Sequence, residues 1–152
     1  MLNIRKAMLR DLEAVTYITS KTVEEIYPHY YAKGAVDFFL QHHNDERIRT
    51  DILSGNVWLL EFDEVSVGTV SINENEINRL FIFPQFQGNG LGSFLMDFCE
   101  DKIFETHSTV ILSASFPAQE MYWKRGYKEA GYHKIFCGNG DFLPYTTMEK
   151  SI

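Results

Sequence analysis

Residues 87–93, Gln87-Gly88-Asn89-Gly90-Leu91-Gly92-Ser93, put three glycines into five positions at a change of hydrophobic period. Before them, Glu76 to Phe83 alternates as a strand does and stops at Pro84. After them, Gly90 to Phe104 repeats at helical spacing, with Leu91, Leu95, Phe98 and Cys99 on one face and Asp97, Glu100 and Asp101 expected in water. A strand, a glycine loop and a helix start place backbone N–H groups around a concavity without Cβ obstruction. The helix N-terminus adds positive potential. Such a nest suits an anion, and a pyrophosphate is its natural guest.

Two common pyrophosphate carriers fit poorly. A dinucleotide fingerprint needs glycine where Ser93 stands, and a P-loop needs a lysine that is missing here. No acidic residue closes a second parallel strand ~20 residues on, where a ribose requires one.

The rest of the chain reads as one domain over residues 1–152, without linker, repeat or low-complexity tract. A strand over 2–7 precedes a helix over 9–26 that Pro28 ends, and two helical pieces follow over 34–43 and 44–54. Val57–Phe62 and Val65–Ile72 form a hairpin across Asp63-Glu64. Asn73-Glu74-Asn75 turns the chain into the strand that leads to the glycine loop. Thr109 to Ala114 is apolar enough for a strand buried on both faces. Pro117 to Arg125 is a short helix closed by Gly126. Strands over 127–137 and 142–150 flank Gly138-Asn139-Gly140, a tight-turn signal. The expected fold is α/β (α+β): a mixed, mostly antiparallel sheet of about seven strands flanked by helices.

The net charge of -7, without a basic run, argues against nucleic acid. It leans slightly toward a cationic partner. Cys99 and Cys137 show neither CxxC spacing nor a histidine pattern, so neither a disulfide framework nor a metal is implied. No apolar stretch approaches the ~18 residues of a membrane span. A soluble, cytoplasmic protein that does not engage membranes is the expectation.

Two spaced motifs resemble the GNAT N-acetyltransferase superfamily. One is Leu80-Phe81-Ile82-Phe83-Pro84 followed by Gln87-Gly88-Asn89-Gly90-Leu91-Gly92, similar to the acyl-CoA motif Q/R-x-x-G-x-G/A behind a hydrophobic strand. The other is Ala118, Tyr122, Gly126 and Tyr127, similar to A-x-x-x-Y-x-x-x-G-[FY]. The element order matches over nearly the whole chain.

The resemblance implies acetyl-CoA as co-substrate, no metal, and direct acyl transfer to a primary amine. Backbone N–H groups from Gln87 to Ser93 would hold the pyrophosphate, with Gly88, Gly90 and Gly92 allowing close approach. The backbones of Leu80, Phe81 and Ile82 would pair with the pantetheine arm along a strand that splays at a bulge. An N–H near Ile82 would polarise the thioester carbonyl. Tyr122 would protonate the departing thiolate. Ser115 stands where relatives often carry Asn, and is expected either to bond the pantetheine or to cap the next helix.

Glu76, or a water beside it, is the candidate base; His107 and the His42-His43 pair are weaker candidates, expected at exposed positions. Tyr27-Pro28-His29-Tyr30-Tyr31 either walls an acceptor pocket or covers the sheet edge. A small amine acceptor, a peptide or protein amine, and a non-catalytic acyl-CoA sensor all remain open. A homodimer is expected by the same resemblance.

Overall fold

The computed structural model describes residues 1–152. Its strands are β1 (Leu2–Lys6), β2 (Val57–Phe62), β3 (Val65–Asn73), β4 (Glu76–Ile82), β5 (Thr109–Ala114), β6 (Lys128–Phe136) and β7 (Phe142–Ser151). Its α-helices are α1 (Leu12–Ile26), α2 (Lys33–His42), α3 (Asp45–Leu53), α4 (Leu91–Phe104) and α5 (Gln119–Lys124). All seven strands join one sheet in the order β1-β2-β3-β4-β5-β7-β6, and every neighbouring pair is antiparallel except β4–β5. The expected mixed sheet is therefore the observed one.

Turn chemistry sets the register. Asp63 and Glu64 take φ of 49° and 70°, so a two-residue turn pairs Phe62 with Val65. The expected first helix starts later than its apolar spacing suggests, because Leu9–Asp11 is a 3₁₀ turn. There the Asp11 carboxylate accepts from the Met8 N–H at 2.8 Å and takes both terminal nitrogens of Arg5 at 2.8 and 2.9 Å. The Arg5 bonds hold the Asp11 carboxyl down at about 2.

The sheet separates two cores. On one face, Leu95, Met96 and Cys99 of α4 pack with Leu60, Val67 and Val110. On the other, Val15, Ile18 and Val23 of α1 and Ile48 of α3 pack with Leu59 and Phe81. Each fully buried side chain of this size contributes about 1.5–3 kcal/mol. Burial pushes the Cys99 thiol up to about 12, which leaves it an inert space-filler.

Two expectations need correction. Glu100 is not in water but 7% exposed. It accepts from the Tyr127 hydroxyl at 2.9 Å, the Lys150 ammonium at 3.0 Å and the Arg125 guanidinium at 3.0 and 3.2 Å. Three donors from other elements supply the compensation that a buried carboxylate needs. β5 is not buried on both faces: Val110, Leu112 and Ala114 are buried, while Ser113 is exposed where the sheet opens. Gly138–Gly140 joins β6 to β7 as the expected hairpin turn, in 3₁₀ form, with Asn139 and Gly140 at φ of 64° and 76°. It lets Asp141 accept from the Gly34 N–H of α2 at 2.8 Å, which docks the β6–β7 hairpin on that helix.

Candidate active site

The sheet opens between β4 and β5. Their parallel pairing ends after Glu76↔Ile111 and Ile77↔Leu112. The next residues of β4 carry a bulge against β3, where Thr69 pairs with Phe81 but Ser71 pairs with Asn78. Arg79 and Leu80 thus stand opposite Val70 alone, and Arg79 takes a left-handed φ of 48°. A non-glycine residue held there stores strain, as backbones at functional sites often do.

The bulge leaves a row of backbone groups without a neighbouring strand. The Phe83 N–H goes to Val67 at 2.8 Å, so strand alternation turns the N–H and C=O of Ile82 to the open side. The Ile82 carbonyl is met there by the Gln87 side-chain amide at 2.8 Å. The Ile82 N–H remains on the open edge, where an extended ligand can pair with it.

At the end of that edge lies the glycine loop. Gly88 and Gly90 have φ of 82° and 77°, and a Cβ on either would meet nothing within 4 Å. Their positive φ gives each of them a conformational requirement for glycine. Gly92 differs: its Cβ would lie 3.2 Å from Met121 Sδ, so it sets how closely α4 and α5 approach.

The first bond of α4 runs from the Phe94 N–H to the Gly90 carbonyl at 3.0 Å. The N–H groups of Leu91, Gly92 and Ser93 are therefore the unsatisfied donors of a helix start, and those of Gly88, Asn89 and Gly90 make no bond in the turn. The Gln87 N–H leaves this set, because it donates to the Pro84 carbonyl at 3.2 Å. Gln87 thus ties strand to loop through both backbone and side chain.

A cleft of about 700 Å³ runs along the open edge and over the loop. It brings together Glu76, Leu80, Phe81, Ile82, Gln87, Gly88, Gly90, Leu91, Gly92, Ser93, Ser115 and Tyr122 from the sequence-derived set. Asn89 stays outside, and its amide steadies the loop through the Phe86 and Gln87 carbonyls. The Ser93 hydroxyl accepts from Arg125 at 2.8 Å, so that side chain is already occupied. The Phe81 side chain packs in the core under α1, as core packing alone would have it.

Tyr122 is 5% exposed at the cleft wall. Burial, with no hydrogen bond to offset it, pushes its hydroxyl well above the usual phenol range, so it is protonated at neutral pH. The motif around it has a physical basis. Gly126 at φ 93° ends α5, the Tyr127 N–H returns to the Tyr122 carbonyl at 3.0 Å, and the Tyr127 hydroxyl docks on Glu100.

Ser115 makes no side-chain cap; its hydroxyl accepts from Tyr27 at 3.1 Å. Tyr27 walls the cleft, whereas Tyr31 stacks on Phe116 with ring centroids 5.1 Å apart and accepts its N–H at 2.8 Å. Of the aromatic stretch, Tyr27 thus lines the cleft and Tyr31 lies outside it.

Glu76 is half-buried at the cleft wall, without an ion pair. His107 lies off the cleft, beside Thr106. His43, expected in the open, is half-buried and lines the cleft, and the exposed His42 lines it too. Burial, together with nearby Arg79, drives His43 down to about 3, so it is neutral at physiological pH.

Sequence reasoning also passed over Asn78, Arg79 and Tyr145, which line the same cleft. A charged residue between Ile77 and Leu80 interrupts the apolar alternation of β4, and that interruption was the available signal of a bulge. For Tyr145, in an ordinary alternating strand, no signal existed.

No cluster of potential metal ligands is present, and no helix is long and apolar enough to cross a membrane.

Comparison with known proteins agrees with this geometry. The family model described as the acetyltransferase (GNAT) domain matches residues 26–152. A GCN5-related N-acetyltransferase from Rhodopseudomonas palustris superposes with a TM-score of 0.88 at 25% identity, covering 99% of this chain and 95% of that one. PaiA N-acetyltransferase from Thermoplasma acidophilum, solved with coenzyme A, gives 0.75 at 18% identity over 100% and 99% of the two chains. YncA from Salmonella typhimurium, solved with acetyl-CoA, gives 0.71 at 18% identity over 99% and 94%. No curated protein matches the chain. A glycine loop at a helix start, a bulged strand edge and a buried tyrosine along one cleft, together with a family model spanning most of the sequence, place this chain in the GNAT acetyltransferase family.

Proposed function

We propose that the protein transfers an acetyl group from acetyl-CoA to a primary amine on a small molecule. The observation that carries this reading is the continuity of the cleft. Unsatisfied N–H groups of the glycine loop, the unpaired edge of β4 and the Tyr122 hydroxyl line one space of about 700 Å³. A pyrophosphate on the loop leaves the attached arm to run along β4 as an additional strand does, with its thioester reaching the wall that Tyr122 forms. That two structural neighbours were solved with coenzyme A or acetyl-CoA supports the choice of donor.

The chemistry needs both substrates together. The acceptor arrives as an ammonium and first loses a proton to Glu76 or to a water beside it. Its nitrogen then attacks the thioester carbon while the Ile82 N–H stabilises the developing oxyanion. As the C–N bond forms and the C–S bond breaks, the thiolate takes the Tyr122 proton, and the amide nitrogen sheds its second proton to solvent. Burial keeps Tyr122 protonated until that moment. No protein nucleophile takes part; Cys99 is fully buried away from the cleft.

The test is thiol release from acetyl-CoA in the presence of an amine panel, for the wild type and Tyr122→Phe. The reading expects turnover that falls about 100-fold or more in the variant, with little change in donor affinity. Unchanged turnover would remove Tyr122 from its role. Activity on peptides alone would sink the small-molecule acceptor.

A further inference from the structure

The cleft does not share the acidity of the chain. The whole sequence carries -7, yet the cleft is lined by a single carboxylate, Glu76, and a single permanent cation, Arg79. The acidic surface therefore gives no guide to the acceptor.

Arg79 is the unusual member. Its side chain is 10% exposed and pairs with Asp51 of α3 through one terminal nitrogen, Nη2. A guanidinium carries five N–H donors in a planar fork, and Arg79 makes no other ion pair. Arg79 lines the cleft beside Asn78. Next to it, His43 keeps a buried Nδ1 without a hydrogen-bond partner, and its ring packs edge-on against Phe81 at 6.1 Å. The bulge that opens β4 also delivers this cation, since Arg79 is the residue at φ 48°.

Around these groups the wall is apolar: Ile26, Phe38 and Phe39 from the helical side, Ile135 and Leu143 from the β6–β7 hairpin. That hairpin is held against α2 by the Asp141–Gly34 bond of 2.8 Å, so the two walls stay together. A polyamine in this space would meet one carboxylate, and its other charges would face hydrocarbon. A molecule with an amine, a nearby carboxylate and an apolar body meets a partner at each point. Arg is the side chain whose fork fits a carboxylate in two places.

We propose that the acceptor is an amino-acid-like amine with a free carboxylate and an apolar or aromatic side chain. Its carboxylate sits on Arg79, its amine faces Glu76, and its side chain lies between α2 and the β6–β7 hairpin. This rests on the acetyltransferase reading above and narrows it.

The experiment compares phenylalanine, phenylalaninamide, phenethylamine and spermidine as acceptors, by thiol release from acetyl-CoA. Phenylalanine is expected to exceed its amide in kcat/KM by roughly tenfold or more, the worth of a charge-assisted pair. Arg79→Gln is expected to erase that preference, read as the ratio of acid to amide turnover within the variant itself. Because Arg79 also anchors the bulge, a second measurement uses the wild type alone. Calorimetry of N-acetylphenylalanine and its amide, titrated into the complex with coenzyme A, should show the same preference for the acid. Turnover that is equal for acid and amide, or best for spermidine, overturns the inference and leaves the acetyltransferase reading standing. Absence of thiol release with every amine, together with no binding of either product, overturns both.

Discussion

Substituting Gly90 by alanine isolates the backbone requirement of the glycine loop. Gly90 caps α4 at φ 77° and ψ 8°, and an added Cβ would meet nothing within 4 Å. Steric clash is therefore absent, and the cost is the left-handed conformation itself, about 1–2 kcal/mol for an L-residue. The stiffer unfolded chain offsets part of this, so a net loss of about 1 kcal/mol is expected. For a chain of 152 residues that corresponds to a fall in Tm of about 2–4 °C.

If the loop instead relaxes to negative φ, its N–H groups turn from the cleft. Losing one or two charge-assisted bonds then weakens acetyl-CoA by about 10–100-fold. Gly92→Ala is the control. Its Cβ meets the flexible Met121 sulfur at 3.2 Å and Ile82 Cγ1 at 4.0 Å, and alanine inside a helix is favoured over glycine by about 1 kcal/mol. Gly92→Ala should therefore match or exceed the wild type in Tm. Thermal unfolding and calorimetry with acetyl-CoA read both effects. A Gly90→Ala protein with unchanged Tm and affinity, or a Gly92→Ala protein less stable than Gly90→Ala, would refute the reasoning.

Other consequences follow from the charged groups. Glu100→Gln leaves Arg125 and Lys150 facing a neutral amide at a site 7% exposed, and should cost about 3 kcal/mol in chemical denaturation. Asp11, held at about 2 by Arg5 against an ordinary 3.8, binds its proton less readily when folded. Its stabilisation is present above about pH 4 and is lost as pH falls toward 2; after solvent screening it amounts to about 1 kcal/mol. Denaturation midpoints measured between those pH values should fall more steeply for the wild type than for Asp11→Asn.

What could be read from the amino-acid order was what neighbours in the chain determine. Asp63-Glu64 announced a hairpin, Pro84 and the glycines announced a strand meeting a helix, and Gly126 announced the end of α5. What could not be read depends on partners distant in sequence. Helical spacing put Glu100 with Asp97 and Asp101, but it could not show that Tyr127, Arg125 and Lys150 converge on the first of these. The composition of β5 implied two covered faces; the opening of the sheet beside it left Ser113 bare. The site divides in the same way. Its loop and Tyr122 belong to contiguous motifs, whereas His43 and Arg79 acquire their place from the bulge and from helices that fold over it.

The central claim is that the glycine loop and the open strand edge together receive an acyl-CoA. Calorimetric titration of the wild-type protein with acetyl-CoA, ATP and NAD tests it most directly. The account expects acetyl-CoA to bind clearly more tightly than either nucleotide, because only its arm can occupy the edge of β4 beyond the loop. Equal or tighter binding of ATP or NAD would reduce the site to a pyrophosphate nest and contradict the account.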